Sequence, residues 1–197
     1  MKDGRVLEIG SRVIHTSRRG LFSGDYVGFD YHDGNNVDVV GDAHRLEDYF
    51  ERESFDGVLS CSVMEHLAMP WVVAQQINKV LKVGGYTYQH VPLNWPVHEL
   101  PWDFWRFTAE GLKVLFSEQM GFEIISWSYS APTSTYLNSA PSDPNSTAAW
   151  LHRVHPHGMS FGSASILARK VGDYIPWEEI DLHALTLGTQ YPKRKGT

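Results

Sequence analysis

The stretch Arg5-Val-Leu-Glu-Ile-Gly10 constrains this chain more than any other. An apolar run ends in an acidic residue, an isoleucine and a glycine. A second run, Tyr26-Val-Gly-Phe, ends at Asp30, and a third, Val37-Asp-Val-Val, leads into Gly41-Asp42-Ala43. Asp30 follows Gly10 by 20 positions. A nucleotide-binding α/β unit sets a carboxylate on a ribose diol at that separation. Each part has a chemical reason. Glycine lets the backbone approach a ligand closely. A carboxylate at the next strand tip accepts two hydroxyl hydrogen bonds. A third acidic tip can meet an adenine amino group. Any one of these alone reads as an acidic turn in an ordinary parallel sheet. The three in order point to a cofactor site.

A chain of 197 residues is one domain with room for a full core. Its net charge of −6 and lack of a basic block argue against a nucleic-acid partner. Lys193-Arg-Lys195 reads as a frayed tail rather than a binding patch. The single Cys61 excludes an internal disulfide and fits a reducing compartment. No apolar run reaches membrane-spanning length and no signal peptide precedes the first strand, so the expected location is cytoplasmic, without membrane contact. Six of the seven Trp residues lie after residue 90, which marks a specialised second half.

Strands and helices are expected to alternate through the first two-thirds. The strands are placed at 5–9, 25–29, 37–40, 55–61 and 85–91. Pro70 opens a helix in which Val72, Val73, Ile77, Val80 and Leu81 recur at helical spacing, and Gly84-Gly85 stops it. Thr108 caps a second helix reaching about Gln119. Strands follow at 122–130 and 163–169, separated by a long polar loop at 131–160. Lacking a crossover helix, these two strands pair as a hairpin at one sheet edge. A tail from 173 to 197 carries a short helix near 177–185. The domain proper is 1–172, with 131–160 as its loop or lid.

These motifs resemble a class I S-adenosylmethionine-dependent methyltransferase of the small bacterial type 11-like family. The resemblance lies in Val-Leu-Glu-Ile-Gly, Val-Gly-Phe-Asp, Gly-Asp-Ala-His, Phe-Asp-Gly-Val-Leu-Ser with Met-Glu-His-Leu, and Leu-Lys-Val-Gly-Gly-Tyr. It covers roughly residues 5–125 and the last strand. It implies a Rossmann-like α/β fold: a seven-stranded, mostly parallel sheet, an antiparallel last strand and helices on both faces. It implies S-adenosyl-L-methionine as the cofactor. Glu8, Gly10 and Ser11 then line its methionine end, Asp30 and Tyr31 its ribose, and Asp42 and Ala43 its adenine. Cys61 and Ser62 lie beneath it. The chain departs from the family twice. After Gly10 the next glycine is Gly20, so the cofactor loop is altered. The chain also begins almost at strand one, where the family has a further helix. That leaves either a fragment or a cofactor covered by the aromatic second half.

The segment from His90 to Thr108 follows strand five and should emerge at the carboxyl edge of the sheet. Methyl transfer is an in-line displacement in which a hydroxyl acceptor must lose its proton. His98 suits a general base, because imidazole titrates near neutrality. Asp103 can orient it or act as the base. Arg106 either binds an anionic acceptor or pairs with Asp103, three residues away. A bland alternative has Asp103 and Arg106 merely clipping the loop. Related enzymes with a similar His…Asp-Phe-Trp-Arg-Phe-Thr run often build cell-surface sugars.

Glu65-His66 is read as a pair at the start of the helix after strand four, touching the cofactor or its lid. Ser62 stands where a second acid would serve an ion, so no metal is expected. His152, His155 and His157 read as surface or lid residues. The expected activity is O-methylation of a small polar acceptor such as a sugar or glycan precursor. The alternative is a cofactor-binding or regulatory protein of the same fold without catalysis. A nicotinamide-dependent oxidoreductase is disfavoured, since it needs more glycines in the first loop and has no use for Asp42-Ala43.

Overall fold

The structure is a computed structural model and describes residues 3–13, 17–130, 133–135 and 159–181. Its strands are β1 (Val6–Ile9), β2 (Tyr26–Asp30), β3 (Val39–Val40), β4 (Phe55–Cys61), β5 (Leu81–Asn94), β6 (Phe122–Tyr129), β7 (Thr133–Thr135) and β8 (Met159–Lys170). They hydrogen-bond in the order β3-β2-β1-β4-β5-β8-β6, and β7 pairs β8 off that path. β1 to β5 run parallel, and β8 is antiparallel to both neighbours, β5 and β6. The expected seven-stranded sheet with an antiparallel last strand is therefore present. The last strand does not close the edge. It inserts between β5 and β6, so the hairpin encloses it and β6 becomes the edge.

Two α-helices stand among the described residues, α1 (Pro70–Val80) and α2 (Ala109–Leu115). Pro70 sits at the first helical position, where its missing N–H costs nothing. An isolated helix this short is marginal in water. Burial of Val73, Ile77 and Val80 against the sheet holds it, at about 1.5–3 kcal/mol for each large side chain. The helix ends at Val80, before the glycine pair expected to stop it. Leu81 is already extended and pairs with Phe55. The amides of Glu53 and Ser54 donate to the Lys79 and Val80 carbonyls, which meets part of the need for a cap. Gly84 instead serves inside β5, at φ +84°. α2 starts as expected, with Thr108 Oγ1 accepting from the Gly111 amide at 3.0 Å, but stops at Leu115. A 3₁₀ turn, Glu118–Met120, completes the path to Gly121.

Both helices pack on the same face, over Leu7, Ile9, Phe29, Val58, Val91 and Ile166. A 3₁₀ segment, Ala43–Asp48, joins them there. On the opposite face, Glu8 and Tyr26 meet the 3₁₀ turn Arg19–Leu21, its neighbours Arg18 and Phe22, and Asn36. Helices on both faces were the expectation; among the described residues both α-helices lie on one face and this turn on the other. The crossovers explain it. Residues 31–38 join β2 to β3 without a helix: Asp33 bonds the next amide, while Asn36 and Asp38 bond the backbone at Ser11 and Gly28. The expected loop at 131–160 and the three histidines at 152, 155 and 157 lie largely outside the described residues. Within that span, 133–135 and 159–160 are strand. Of the expected tail helix, the described part is the 3₁₀ turn Trp177–Glu179.

Candidate active site

Strand tips β1 to β5 bring every predicted cofactor residue to the carboxyl edge of the sheet, where ligands of open α/β sheets bind. Gly10 turns the chain at φ +74°, and its amide and that of Ser11 both donate to the Phe29 carbonyl. A Cβ on Gly10 would stand 2.2 Å from Val63 Cγ2, so this position demands glycine twice over. Ser11 is buried and does not face open space. Its hydroxyl donates to the Asn36 carbonyl at 3.1 Å, and Asn36 Nδ2 returns a bond to the Ser11 carbonyl at 2.9 Å. Glu8 is buried too. It accepts from Arg18 Nη1 at 2.9 Å and from the Tyr26 hydroxyl. Burial, with the Glu8 carboxylate beside it, pushes the Tyr26 phenol well above its ordinary range. Sequence reasoning missed Arg18, Tyr26 and Asn36, which no local pattern marks.

Asp30 stands at the tip of β2. One carboxylate oxygen accepts from the His32 amide at 2.9 Å and the other from the Arg12 amide at 3.1 Å. A carboxylate offers about four acceptor sites. Acceptor capacity remains on each oxygen, with Arg12 Nε 3.9 Å from Oδ1. Tyr31 beside it is exposed. Asp42 caps the 43–48 turn, and its Oδ1 accepts from the His44 amide at 2.9 Å and meets His44 Nδ1 at 2.7 Å. His44 Nε2 accepts from the Met69 amide, so Nδ1 carries the proton. Both of these bonds fall on Oδ1, and the neighbouring Ala43 is buried. At the end of β4, Cys61 is half-buried, and burial raises its thiol pKa. Ser62 adopts φ +56°, uncommon for a non-glycine residue, and its amide donates to the His90 carbonyl at 2.8 Å.

The loop after β5 docks onto the turn after β4. The amides of Phe104 and Trp105 both donate to the Glu65 carbonyl, and Trp105 Nε1 donates to the Leu67 carbonyl at 2.9 Å. Within the loop, Asp103 is almost fully buried. Arg106 grips it with two bonds, Nη1 to Oδ1 at 2.6 Å and Nη2 to Oδ2 at 2.8 Å. That hydrogen-bonded guanidinium holds the Asp103 carboxyl far below the usual range. Arg106 spends its remaining donors on the carbonyls of Trp95, Pro96 and Trp105. All five of its N–H groups are thus taken. Of the two roles expected for Arg106, the arrangement is the pairing one. His98 adds its amide to Asp103 Oδ2 at 2.8 Å, and its Nδ1 lies 3.2 Å from the same oxygen. The imidazole is therefore oriented by Asp103, with Nε2 left over. His66 meets the His98 ring edge-on at 4.8 Å between centroids.

Among known proteins, the methyltransferase-domain family model matches residues 16–88. A solved structure from Archaeoglobus fulgidus, a SAM-dependent methyltransferase, superposes with a TM-score of 0.57 at 18% identity, covering 85% of this chain and 86% of that one. The chain has the class I methyltransferase fold. A provisionally assigned methyltransferase of Bacillus halodurans C-125 gives a TM-score of 0.63 at 16% identity, over 87% of this chain and 94% of that one. The Burkholderia thailandensis 1,6-didemethyltoxoflavin-N1-methyltransferase, solved with S-adenosylhomocysteine and its acceptor, gives 0.59 at 15% identity, over 87% and 72%. No curated protein sequence matches the chain. At identities this low the superpositions show the fold alone. No helix among the described residues is long and apolar enough to cross a membrane.

Proposed function

We propose that this chain is an S-adenosylmethionine-dependent methyltransferase acting on oxygen of a small polar acceptor such as a sugar or glycan precursor. The observation that supports it most is the set of vacant acceptor sites at consecutive strand tips, on Asp30 and Asp42, beside a glycine that admits no side chain. These residues fit the cofactor. Asp30 would hold the ribose hydroxyls, Asp42 the adenine amine and the Gly10 turn the methionine end. S-adenosylmethionine would supply an electrophilic methyl group on sulfur. The remaining work belongs to the docked loop. Asp103 fixes the His98 ring, and His98 Nε2 would take the proton of the acceptor's hydroxyl while the cofactor supplied the methyl group.

One observation favours the second reading, cofactor binding without turnover. The space after Gly10 is bridged by reciprocal Ser11–Asn36 bonds where the family carries more glycines. Calorimetry with S-adenosylhomocysteine, followed by turnover against a panel of hydroxylated acceptors, separates the two. Binding with methylated product supports the first, and binding without product across the panel supports the second. Failure to bind removes both.

A further inference from the structure

The feature that the reading above leaves unexplained is Glu65. Its side chain is fully buried, and neither carboxylate oxygen has a hydrogen-bond partner. A native fold seldom leaves a buried carboxylate unpaired, because desolvating it without compensation is expensive. The nearest groups explain the position. His66 Nε2 lies 3.8 Å from Glu65 Oε1. One donor atom from each of Glu65, His66 and His98 falls within 4.8 Å of the others.

Both imidazoles are held in the manner of metal ligands. His66 Nδ1 lies 2.8 Å from the Trp102 carbonyl, which only accepts, so Nδ1 carries a proton and Nε2 is free. His98 Nδ1 faces the Pro96 carbonyl and Asp103 Oδ2, which likewise leaves Nε2. Metal-bound histidines almost always donate their other ring N–H to a carbonyl or carboxylate in this way. The surrounding charge favours a cation. Asp103 and Glu99 add negative potential at Glu65, against the single positive charge of Arg106, which is spent on Asp103.

We infer that Glu65, His66 and His98 form a binding site for one divalent first-row transition ion, of the zinc, cobalt or manganese class. Two imidazoles and a carboxylate suit such ions better than magnesium or calcium, which favour all-oxygen sets. Donor atoms around a tetrahedral ion stand about 3.3 Å apart, so a small rotation of the side chains closes the set. Three protein ligands leave at least one position open, at the edge where the acceptor would sit. This runs against the expectation from sequence that no metal is held there. Its consequence for catalysis rests on the methyltransferase reading. With an ion on His98 Nε2, the ion and not the free imidazole would bind and acidify the acceptor's hydroxyl oxygen.

The test is a titration of the metal-free full-length protein with Co²⁺ alone, read by visible absorption. We expect one equivalent to bind, with a spectrum of low coordination number. Glu65→Gln, which keeps the shape, and His98→Ala should each weaken binding by at least about tenfold. Absence of a one-equivalent site in the wild type would overturn the inference, as would undiminished binding by Glu65→Gln. Circular dichroism checks the fold, and the near-isosteric Glu65→Gln carries the test should His98→Ala not fold. Calorimetry with S-adenosylhomocysteine on the same samples separates the two failures. Cofactor binding without Co²⁺ binding sinks only the ion site. Co²⁺ binding without cofactor binding sinks only the methyltransferase reading.

Discussion

The tips of β1 to β3 and the loop docked after β5 both crowd charged residues at one edge of the sheet, but they treat those charges differently. At the first, every carboxylate already has protein partners: Glu8 with Arg18 and Tyr26, Asp30 with two amides, Asp42 with His44. The geometry is set before any ligand arrives, and a ligand would use the acceptor sites left over. At the second, Asp103 is as fully paired as any of these, whereas Glu65 is sealed in with no hydrogen bond on either oxygen. A paired carboxylate stabilises the fold by itself. An unpaired one weakens it until something binds.

The largest expected effect comes from breaking the paired group in the loop. Arg106→Ala strands a nearly buried Asp103 carboxylate and removes five hydrogen bonds, which should cost about 3–5 kcal/mol by denaturant unfolding. The pH dependence follows from sign. The folded-state pKa of Asp103 lies below its unfolded value, so its contribution is present above the ordinary carboxylate range and is lost as pH falls below it. The wild type should lose that stability in acid, and Arg106→Ala should lose less. Equal acid sensitivity would show that the clamp contributes nothing.

The unpaired group should respond in the opposite direction. Burial pushes Glu65 up to about 7 from its ordinary 4.5, so the folded state disfavours its ionised form. Stability should fall as pH rises between those two values. Glu65→Gln in metal-free protein should abolish that slope and gain up to about 3 kcal/mol near pH 8, measured by chemical denaturation. A loss of stability at that pH would erase the contrast between the two regions.

Smaller changes probe the cofactor edge. Asp30→Ala should weaken S-adenosylmethionine binding by about 1.5–3 kcal/mol, the worth of charge-assisted bonds, in isothermal titration. Unchanged affinity in a folded variant would remove Asp30 from the site. Asp42→Asn should lose less than Asp42→Ala, since one carbonyl oxygen still accepts. If the two variants match the wild type, Asp42 is only the cap of its turn.

Where a segment carries its own signal, the sequence is a sound guide. The four buried residues of β1, the apolar run of β4, Pro70 at a helix start and Thr108 at a helix cap are all local features. The crossovers are less legible. Alternation predicts helices around β2, yet 31–38 has none, because Asn36 and Asp38 satisfy the backbone and adjoining strands through side chains. The extent of β5 is hidden for a related reason. Leu81 reads as the end of a helical stripe, and only its pairing with Phe55 makes it strand.

The spacing of Gly10, Asp30 and Asp42 by itself determined that three strand tips would share one edge, because parallel strands joined in order must present their carboxyl ends together. Sequence also paired Asp103 with Arg106 as an option. Tertiary structure alone decided that all five guanidinium donors are consumed within the loop. It alone carried His98 to Glu65 and His66. That meeting depends on the Phe104 and Trp105 amides reaching the Glu65 carbonyl. Backbone groups are the same at every residue, so a contact made through them leaves no mark in the sequence.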